Sequence, residues 1–233
     1  MLVTMTMIRR VFFLFALAHV ATYFSTNARA AEDGFTDIFN GKDLADWVVE
    51  GQAKYKEKGG AEKPTWTVEE GMLVCANGAG FGFIRYDKQK YGDFAMHLEY
   101  RMSKSCNSGV GIRTPPFTGD INTRPSHAAY EVQILDDFGK KPDKNSHASL
   151  YNYVAPTSNE TKSINEWQVL DIECHGPKIK ITLNGKVVQD VDQTTIPEIK
   201  DKPLSGYVSL QNHGHKIEFR SVRIKDFGAA GEK

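Results

Sequence analysis

The chain has 233 residues, of which 29 are acidic and 29 basic, so its formal net charge at pH 7 is zero. No basic stretch is interleaved with aromatic residues, and the composition therefore does not indicate nucleic-acid binding. The length beyond residue 30 suits one β-rich domain that buries most of its apolar surface. We expect a single domain over residues 31–233 and a partner that is a small neutral molecule or a glycan.

The N-terminus has the three parts of a secretory signal peptide. Arg9 and Arg10 precede an apolar run of about a dozen residues, and small residues follow up to Ala28-Arg29-Ala30. We expect cleavage after Ala30. The apolar run is too short to span a bilayer comfortably, and no later segment approaches about 20 apolar residues. The mature chain is expected to be exported, to the periplasm or the cell exterior, with no membrane span; a retained N-terminal anchor is the alternative.

The first elements of the mature chain are short. The entry segment, residues 34–51, begins with a short strand and a turn at Asn40-Gly41, and its Trp47 is expected to cover the edge of the core. Residues 51–64 are rich in Lys, Glu and Gly, which predicts a solvated loop. Apolar residues on both sides of the sequence Glu-Glu-Gly then predict a hairpin over residues 66–74.

Two strands with clear alternation follow, over residues 93–102 and 107–114. In the second strand the apolar residues alternate with Gly109, Gly111 and Arg113, which are expected to share the face directed away from the core. Two glycines beside an arginine leave room for a ligand to approach the backbone, with a guanidinium at the end of that face. We interpret this face as one part of a binding site.

The most regular strand is YEVQILDD, which begins at Tyr130. Every second residue from Tyr130 to Ile134 is apolar and is expected to face the core. Glu131 and Gln133 therefore point to the opposite face in a fixed geometry. We predict that they form the floor of the binding site.

Two long connections flank this strand. Residues 114–129 contain three prolines and no periodicity, which predicts an ordered loop of the kind that often covers a site. Residues 138–162 carry His147, Tyr151 and Tyr153 towards the same end of the sheet.

Alternating segments fill the rest of the chain. The pair Asn184-Gly185 lies between two of them and predicts a two-residue hairpin turn. Gln211 falls on the polar phase of a later strand, and the last strand loses its apolar phase near Arg220 and Ser221, which indicates a bulge. No segment has a sustained 3.6-residue period, so we predict an all-β fold of two packed antiparallel sheets.

Cys75, Cys106 and Cys174 make an odd number in a chain that is expected to be exported. They allow one disulfide with one thiol left over, or three buried thiols. Cys174 shares an apolar phase with Leu170 and Ile172 and is expected in the core. The sequence indicates no base that would activate any of the three thiols.

Seven segments, in this order, carry a resemblance to a known family: GFTDIFNGKDLADWVV, NSGVGIR, YEVQILDD, LYNYVAP, EWQVLDIEC, ITLNGKVV and GYVSLQNHGHKIEFRSVRIKDF. Together they resemble the bacterial 3-keto-disaccharide hydrolase family over essentially the whole mature chain. The resemblance implies a concanavalin A-like jelly roll, exported by a bacterium, that acts on glycosides oxidised at C3 of the sugar. It implies either a hydrolase or a lyase whose product is hydrated afterwards. The match is looser over residues 146–156 and after Arg113, so it does not specify the substrate.

The strand chemistry favours one of two mechanisms. An ordinary glycosidase places two carboxylates about 5 to 9 Å apart across the scissile bond. Here Glu131 is followed on its face by Gln133, and only Asp136 or Asp137 is available as a second acid. A 3-keto sugar needs a single base, because the ketone acidifies the C2 proton and the C1 oxygen then leaves by elimination. The two-carboxylate hydrolase is therefore the less supported alternative.

We predict catalytic roles for Glu131, Arg113 and His213. The base is predicted to be Glu131, His127 or His213, while Arg113, with Gln133 and Gln211, holds the enolate oxygen. The predicted substrate-binding residues are Asn107, Gln133, Tyr151, Gln211 and His127. Glu131 and Arg113 would equally fit a cross-strand ion pair on a solvated sheet face, and Asn107 would equally fit a turn.

The cofactor requirement stays open, with a divalent metal ion as one option. The leading candidate ligands are Glu131, Asp136 and His147, whose oxygen and imidazole donors suit such an ion. The alternative function is a non-catalytic, lectin-like carbohydrate-binding module that stacks sugars on exposed aromatic residues. The aromatic residues suggested for this role are Tyr151, Tyr153, Trp167 and Phe117. A domain that only binds another protein is a third interpretation.

Overall fold

The structure is a computed structural model that describes residues 34–57 and 59–228. The predicted signal peptide, residues 1–30, lies outside the described residues. Within the described ranges, no helix is long and apolar enough to cross a membrane.

Strands make up most of the described chain. In chain order they are β1 (Thr36–Asp37), β2 (Trp47–Gly51), β3 (Lys54–Lys56), β4 (Glu62–Pro64), β5 (Trp66–Glu69), β6 (Met72–Cys75), β7 (Phe81–Tyr91), β8 (Asp93–Met102), β9 (Asn107–Thr114), β10 (Tyr130–Leu135), β11 (Gln168–His175), β12 (Lys178–Leu183), β13 (Lys186–Asp192), β14 (Gly206–His213) and β15 (Ile217–Gly228). One short helix, α1 (Pro125–Ala128), and two 3-10 turns (Ile121–Thr123 and Gln193–Thr195) interrupt them.

Two antiparallel sheets contain all but two of these strands. The eight-stranded sheet has the order β13-β12-β11-β8-β15-β6-β5, with β1 also paired to β15. The five-stranded sheet has the order β10-β9-β14-β7-β2. The prediction of an all-β sandwich of two antiparallel sheets is confirmed.

The core lies between the two sheets. From the eight-stranded sheet it receives the alternating residues of β8, Phe94, Met96, Leu98 and Tyr100, all of which are buried. From the five-stranded sheet it receives the alternating residues of β10, Tyr130, Val132 and Ile134, all with no exposed surface. Each large apolar side chain buried in this way contributes about 1.5–3 kcal/mol. Glu131 and Gln133 are thereby fixed on the face of β10 that points away from the core, as predicted.

The turns follow the sequence closely. The hairpin between β5 and β6 turns at Glu70 and Gly71, and the hairpin between β12 and β13 turns at Asn184 and Gly185. All four of these residues have positive φ, the conformation that tight two-residue hairpin turns require. The predicted bulge in the last strand is confirmed by a register shift between Phe219 and Ser221.

Two expectations need correction. Residues 51–64 are not entirely loop, because β3 and β4 pair within them as a small separate hairpin. The prediction that Arg113 shares the face of Gly109 and Gly111 is wrong. Tyr207 of β14 pairs with Thr114, but Ser209 pairs with Gly111, so β9 carries one extra residue at this point.

Arg113 lies in this bulge with a φ of 57°. A bulge interrupts the two-residue alternation, and the side chain turns towards the eight-stranded sheet. The fully buried guanidinium donates hydrogen bonds of 2.8 Å to the carbonyl oxygens of Gly92 and Gly176. Gly176 lies at the turn between β11 and β12 of the eight-stranded sheet, and Gly92 lies between β7 and β8, where the chain passes from one sheet to the other. Arg113 therefore ties the two sheets together.

The three cysteines are buried free thiols. The structure therefore has the arrangement with three buried thiols and not the one with a disulfide. Cys174 lies in the core as predicted. Burial raises the pKa of each thiol to about 12. None of the three is therefore a reactive thiolate at neutral pH.

Candidate active site

The outer face of the five-stranded sheet, directed away from the core, carries most of the predicted site residues. The register pairs Glu131 with Gly111 and Gln133 with Gly109. On the next strand Ser209 also pairs with Gly111. Polar side chains from three adjacent strands therefore meet over two glycines.

The space above the two glycines is occupied by these neighbours. A Cβ atom at position 109 would lie 2.8 Å from Cγ of Glu131 and 2.9 Å from its Oε1 atom. A Cβ atom at position 111 would lie 2.3 Å from the Ser209 hydroxyl oxygen. The prediction that the glycines leave room for a ligand to approach the backbone is wrong, because the side chains of Glu131 and Ser209 occupy that space.

Glu131 is the central ionisable group of this face. Its side chain is only 3% exposed, and its Oε1 atom accepts a hydrogen bond of 2.9 Å from the Gln211 amide. Burial raises the pKa of Glu131 to about 7, against the opposing effects of Arg124, Gln211 and Ser126. A carboxyl group with this pKa is poised for proton transfer near neutral pH.

Several buried polar atoms around Glu131 have no hydrogen-bond partner among the described residues. They are Oε2 of Glu131, Oε1 of Gln133, Oγ of Ser209, Oε1 of Gln211 and Nε of Arg124. An unpaired buried polar group costs about 1–3 kcal/mol, and native proteins tolerate few of them. Their concentration at one place indicates a site built to bind a polar ligand.

Arg124 supplies the positive charge that the sequence had assigned to Arg113. It precedes α1 in the loop over residues 114–129, and its charge lowers the pKa values of both Glu131 and His213. Its guanidinium carbon lies 4.2 Å from the centre of the Phe81 ring. The loop is aperiodic, so no alternation pattern could place Arg124; its position in a loop predicted to cover the site was the only signal.

An aromatic cluster adjoins Arg124. Phe81, Phe83 and Phe117 have ring centres 5.0 to 5.9 Å apart. The ring of His213 meets Phe81 edge-on at 5.3 Å, and burial followed by the charge of Arg124 lowers the pKa of His213. The predicted site residue His213 therefore lies beside the aromatic cluster. The charge of Arg124 acts on both His213 and Glu131.

Other predicted substrate-binding residues lie along the border of this face. The Asn107 side-chain oxygen accepts a long, 3.5 Å hydrogen bond from Gln133. The Tyr151 backbone amide donates to the Glu131 carbonyl oxygen at 2.9 Å. His127 is exposed at the end of α1, with Nδ1 3.3 Å from the Ser126 hydroxyl oxygen.

Three other predicted residues have structural partners instead. Asp136 accepts a hydrogen bond from the Ser105 amide at 2.8 Å, and Asp137 accepts one from the His147 amide at 2.9 Å. The buried His147 ring bonds to Tyr100 and to the Leu135 backbone.

The metal ligands suggested by the sequence do not form a ligand set. Among residues 34–57 and 59–228, no group of three or more His, Cys, Asp or Glu side chains is arranged to hold a metal ion. Glu131, Asp136 and His147 are therefore not brought together as metal ligands.

Arg113 is likewise not part of the site. Its guanidinium is committed to Gly92 and Gly176, and lies 3.6 Å from the Asp93 carboxylate. The alternative of an ion pair between Arg113 and Glu131 is also wrong, because Asp93 is the acidic partner of Arg113.

The two sheets and the polar site on one outer face define a β-sandwich of the galectin-like and concanavalin A-like class. Residues 34–225 match the family model described as the 3-keto-alpha-glucoside-1,2-lyase-like domain, and the chain belongs to this family. The resemblance stated from the sequence is confirmed.

Individual relatives agree with this assignment. The chain is 26% identical to a 3-keto-disaccharide hydrolase of Bacteroides thetaiotaomicron, in an alignment that covers 88% of this chain and 86% of that protein. Its fold is similar to that of a Parabacteroides distasonis protein provisionally assigned as a glycosyl hydrolase, with a TM-score of 0.67, 19% identity and coverage of 86% of this chain and 97% of the other. A Bacillus subtilis protein of unknown function with a galectin-like fold has a TM-score of 0.50 at 11% identity, covering 82% and 94% of the two chains. The two solved structures support the fold alone.

Proposed function

We propose that the protein is an exported enzyme that cleaves glycosides oxidised at C3 of the sugar, with Glu131 as the general base. The observation that carries this proposal is the buried Glu131 carboxyl group, whose pKa is raised to about 7 and whose Oε2 atom lacks a partner among the described residues. Family membership and the named activity of the Bacteroides thetaiotaomicron relative support the substrate class.

The proposed reaction begins with removal of the C2 proton of the 3-keto sugar by the Oε2 atom of Glu131. The electron pair moves into the enolate and then forms the C1–C2 double bond as the C1 oxygen departs. The proton taken from C2 balances the proton that the departing oxygen needs. Water then adds across the double bond, so elimination followed by hydration gives the products of a hydrolysis.

The enolate oxygen needs a preorganised positive charge or hydrogen-bond donors. Arg124 is the cation whose charge acts on Glu131. Its Nε atom has no partner among the described residues and is a donor that a substrate oxygen can use. The unpaired oxygens of Gln133 and Gln211 suit the hydroxyl groups of a sugar. His213, on which the charge of Arg124 also acts, is proposed to form a hydrogen bond with the departing oxygen.

The arrangement favours this route over a two-carboxylate mechanism. The nearest hydrogen-bonded neighbour of the Glu131 carboxylate is the Gln211 amide. Asp137 accepts hydrogen bonds from the His147 amide and the Thr161 hydroxyl, so it is engaged in holding the loop. A mechanism that needs one base therefore fits the residues better than one that needs two acids.

The test compares wild-type protein with the Glu131→Gln and Glu198→Gln variants. Substrates are a nitrophenyl 3-keto-glucoside and 3-keto-trehalose, each beside its unoxidised parent, with and without a chelator. We expect release from the keto forms alone, a loss of about 100- to 10,000-fold in kcat for Glu131→Gln, and no change for the exposed Glu198. Cleavage of the unoxidised parents, or full activity of Glu131→Gln, would contradict the proposal.

The second candidate function is a carbohydrate-binding module, which the aromatic cluster of Phe81, Phe83 and Phe117 favours. The platform suggested from the sequence is divided, however. Phe117 joins this cluster, whereas Trp167 lies against Arg101 and Arg220 of the eight-stranded sheet. Binding of sugars by calorimetry, with no release from any keto-glycoside, would favour this second function.

A further inference from the structure

Lys202 is held against α1, the short helix that follows Arg124 and carries Ser126. Its Nζ atom donates a hydrogen bond of 2.7 Å to the His127 carbonyl oxygen. The Tyr153 hydroxyl donates to the adjacent Ser126 carbonyl oxygen at 3.0 Å. Two side chains from separate parts of the chain therefore bind consecutive carbonyls of α1. The positive charge of Lys202 is favourable there, because the C-terminal end of a helix carries a partial negative charge.

The ammonium group also lies near two aromatic rings. Its Nζ atom lies 4.8 Å from the centre of the Tyr153 ring and 5.7 Å from that of Tyr130. A cation near the face of an aromatic ring is attracted by the negative potential of that face. These contacts depend on the positive charge of Lys202, so the charge itself helps to hold α1.

The backbone around Lys202 is anchored to β10, the strand that carries Glu131. The buried Gln193 side chain donates to the carbonyl oxygens of Lys200 and Lys202, at 3.2 and 3.0 Å. The same side chain accepts a 2.6 Å hydrogen bond from the Tyr130 hydroxyl. A continuous set of contacts thus runs from β10 through Gln193 and Lys202 to α1.

We propose that Lys202 is a positioning residue, whose ammonium group holds α1 against β10 so that Arg124 and Ser126 face the Glu131 carboxylate. This inference rests on the proposed function for its effect on catalysis. The contacts themselves are testable without any substrate.

The charge state of Lys202 gives the inference a pH signature. Burial lowers the pKa of Lys202 from 10.5 to about 8, so its positive charge is lost in mildly alkaline solution. The groups that face it are the His127 carbonyl and the phenols of Tyr130 and Tyr153, and burial raises the pKa of both phenols, which stay neutral there. We expect an alkaline decline in kcat/KM with an apparent pKa near 8.

This decline is distinct from unfolding. Because the pKa of Lys202 is lowered in the folded chain, the unfolded chain binds its proton more tightly between about pH 8 and about pH 10.5. This group therefore makes the free energy of unfolding rise, not fall, over that range. A loss of activity with no loss of stability is the expected combination.

The experiment uses the full mature chain as wild type and as Lys202→Met, Lys202→Arg and Lys200→Met. Lys200 is exposed, lies two residues away in the same turn, and serves as the matched control. Hydrogen exchange is measured for the amides of residues 127–129, which bond to carbonyls of Arg124 and Pro125. kcat/KM with the nitrophenyl 3-keto-glucoside is measured from about pH 6 to about pH 9.5, on both sides of the lysine pKa.

We expect the amides of residues 127–129 to exchange faster in Lys202→Met than in wild type. We also expect kcat/KM to fall by about 10- to 100-fold, because catalytic groups that are displaced from their working geometry react more slowly. Lys200→Met is expected to match wild type in both measurements. Lys202→Arg keeps its charge, so its alkaline decline is expected to move up by at least about one pH unit.

The outcomes separate the two proposals. Unchanged exchange in Lys202→Met would overturn the positioning role, whatever the activity. An alkaline decline that stays near pH 8 in Lys202→Arg, with activity otherwise preserved, would also overturn it. Faster exchange in Lys202→Met, in a protein that cleaves no keto-glycoside, would support the contacts of Lys202 and contradict the proposed function.

Discussion

The raised pKa of Glu131 also makes the stability of the folded chain depend on pH. Burial raises this pKa from 4.5 to about 7, so the folded chain holds a proton that the unfolded chain releases between those values. The stabilisation is fully present below about pH 4.5 and is lost as the pH rises through about 7. A shift of this size corresponds to about 3 kcal/mol.

Glu131→Gln is therefore expected to be more stable than wild type above pH 7, by up to about 3 kcal/mol, and equally stable below about pH 4.5. The reason is that glutamine resembles the protonated acid and carries no charge to bury. Urea unfolding at a series of pH values measures the difference. The exposed Glu198→Gln variant is the control and should follow wild type throughout. Equal stability of Glu131→Gln and wild type at pH 8 would show that burial of the charged carboxylate does not destabilise the folded chain.

Strand alternation predicts which face of the sheet a side chain occupies, and it holds only where the strand pairing is regular. The phases of β10 and β14 placed Glu131, Gln133 and Gln211 on one face, and the register brings them together. Alternation misplaced Arg113, because one extra residue in β9 interrupts the two-residue period and the positive φ of a non-glycine residue has no sequence signal here. Alternation also carried no information on Arg124, whose place depends on how an aperiodic loop folds over the sheet.

The bulge at Arg113 leads to a prediction about stability. Arg113→Met is expected to destabilise the protein by about 3–5 kcal/mol, because Asp93 and the Gly92 and Gly176 carbonyls lose their buried partner. Chemical unfolding measures this loss. The kcat of the molecules that remain folded should be unchanged. Active-site titration with a slow substrate gives the concentration of active molecules, by which the rate is divided.

The exposed Arg220 provides the control for Arg113. It lies at the register shift between Phe219 and Ser221 in β15 and pairs with Glu99 on the surface, so Arg220→Met is expected to cost about 1 kcal/mol or less. A large fall in kcat for Arg113→Met with little change in stability would restore the role that the sequence suggested for Arg113.

At the scale of the whole molecule, the fold relies on its core without covalent cross-links among the described residues. Two sheets bury alternating apolar residues against each other, and the site is added on the outer face of one sheet, where loops cover it. The family and the two-sheet architecture were evident from the sequence, and the strand alternation also gave the outward face of Glu131 and Gln133, since each depends on local pattern. The position of Arg124 near Glu131 was not evident, since it depends on tertiary packing.

The three thiols make this description of the core testable. Cys75, Cys106 and Cys174 are buried and free, and burial raises the pKa of each to about 12. Only about one thiol in 100,000 would be ionised at pH 7, and the thiolate is the reactive form. We expect a thiol reagent to label none of the three in the native protein and all three in urea without reductant. Labelling in urea with reductant is the control and should give the same number. A single labelled thiol without reductant and three with it would mean that the chain contains a disulfide, and the packing around two of these cysteines would then differ from that described.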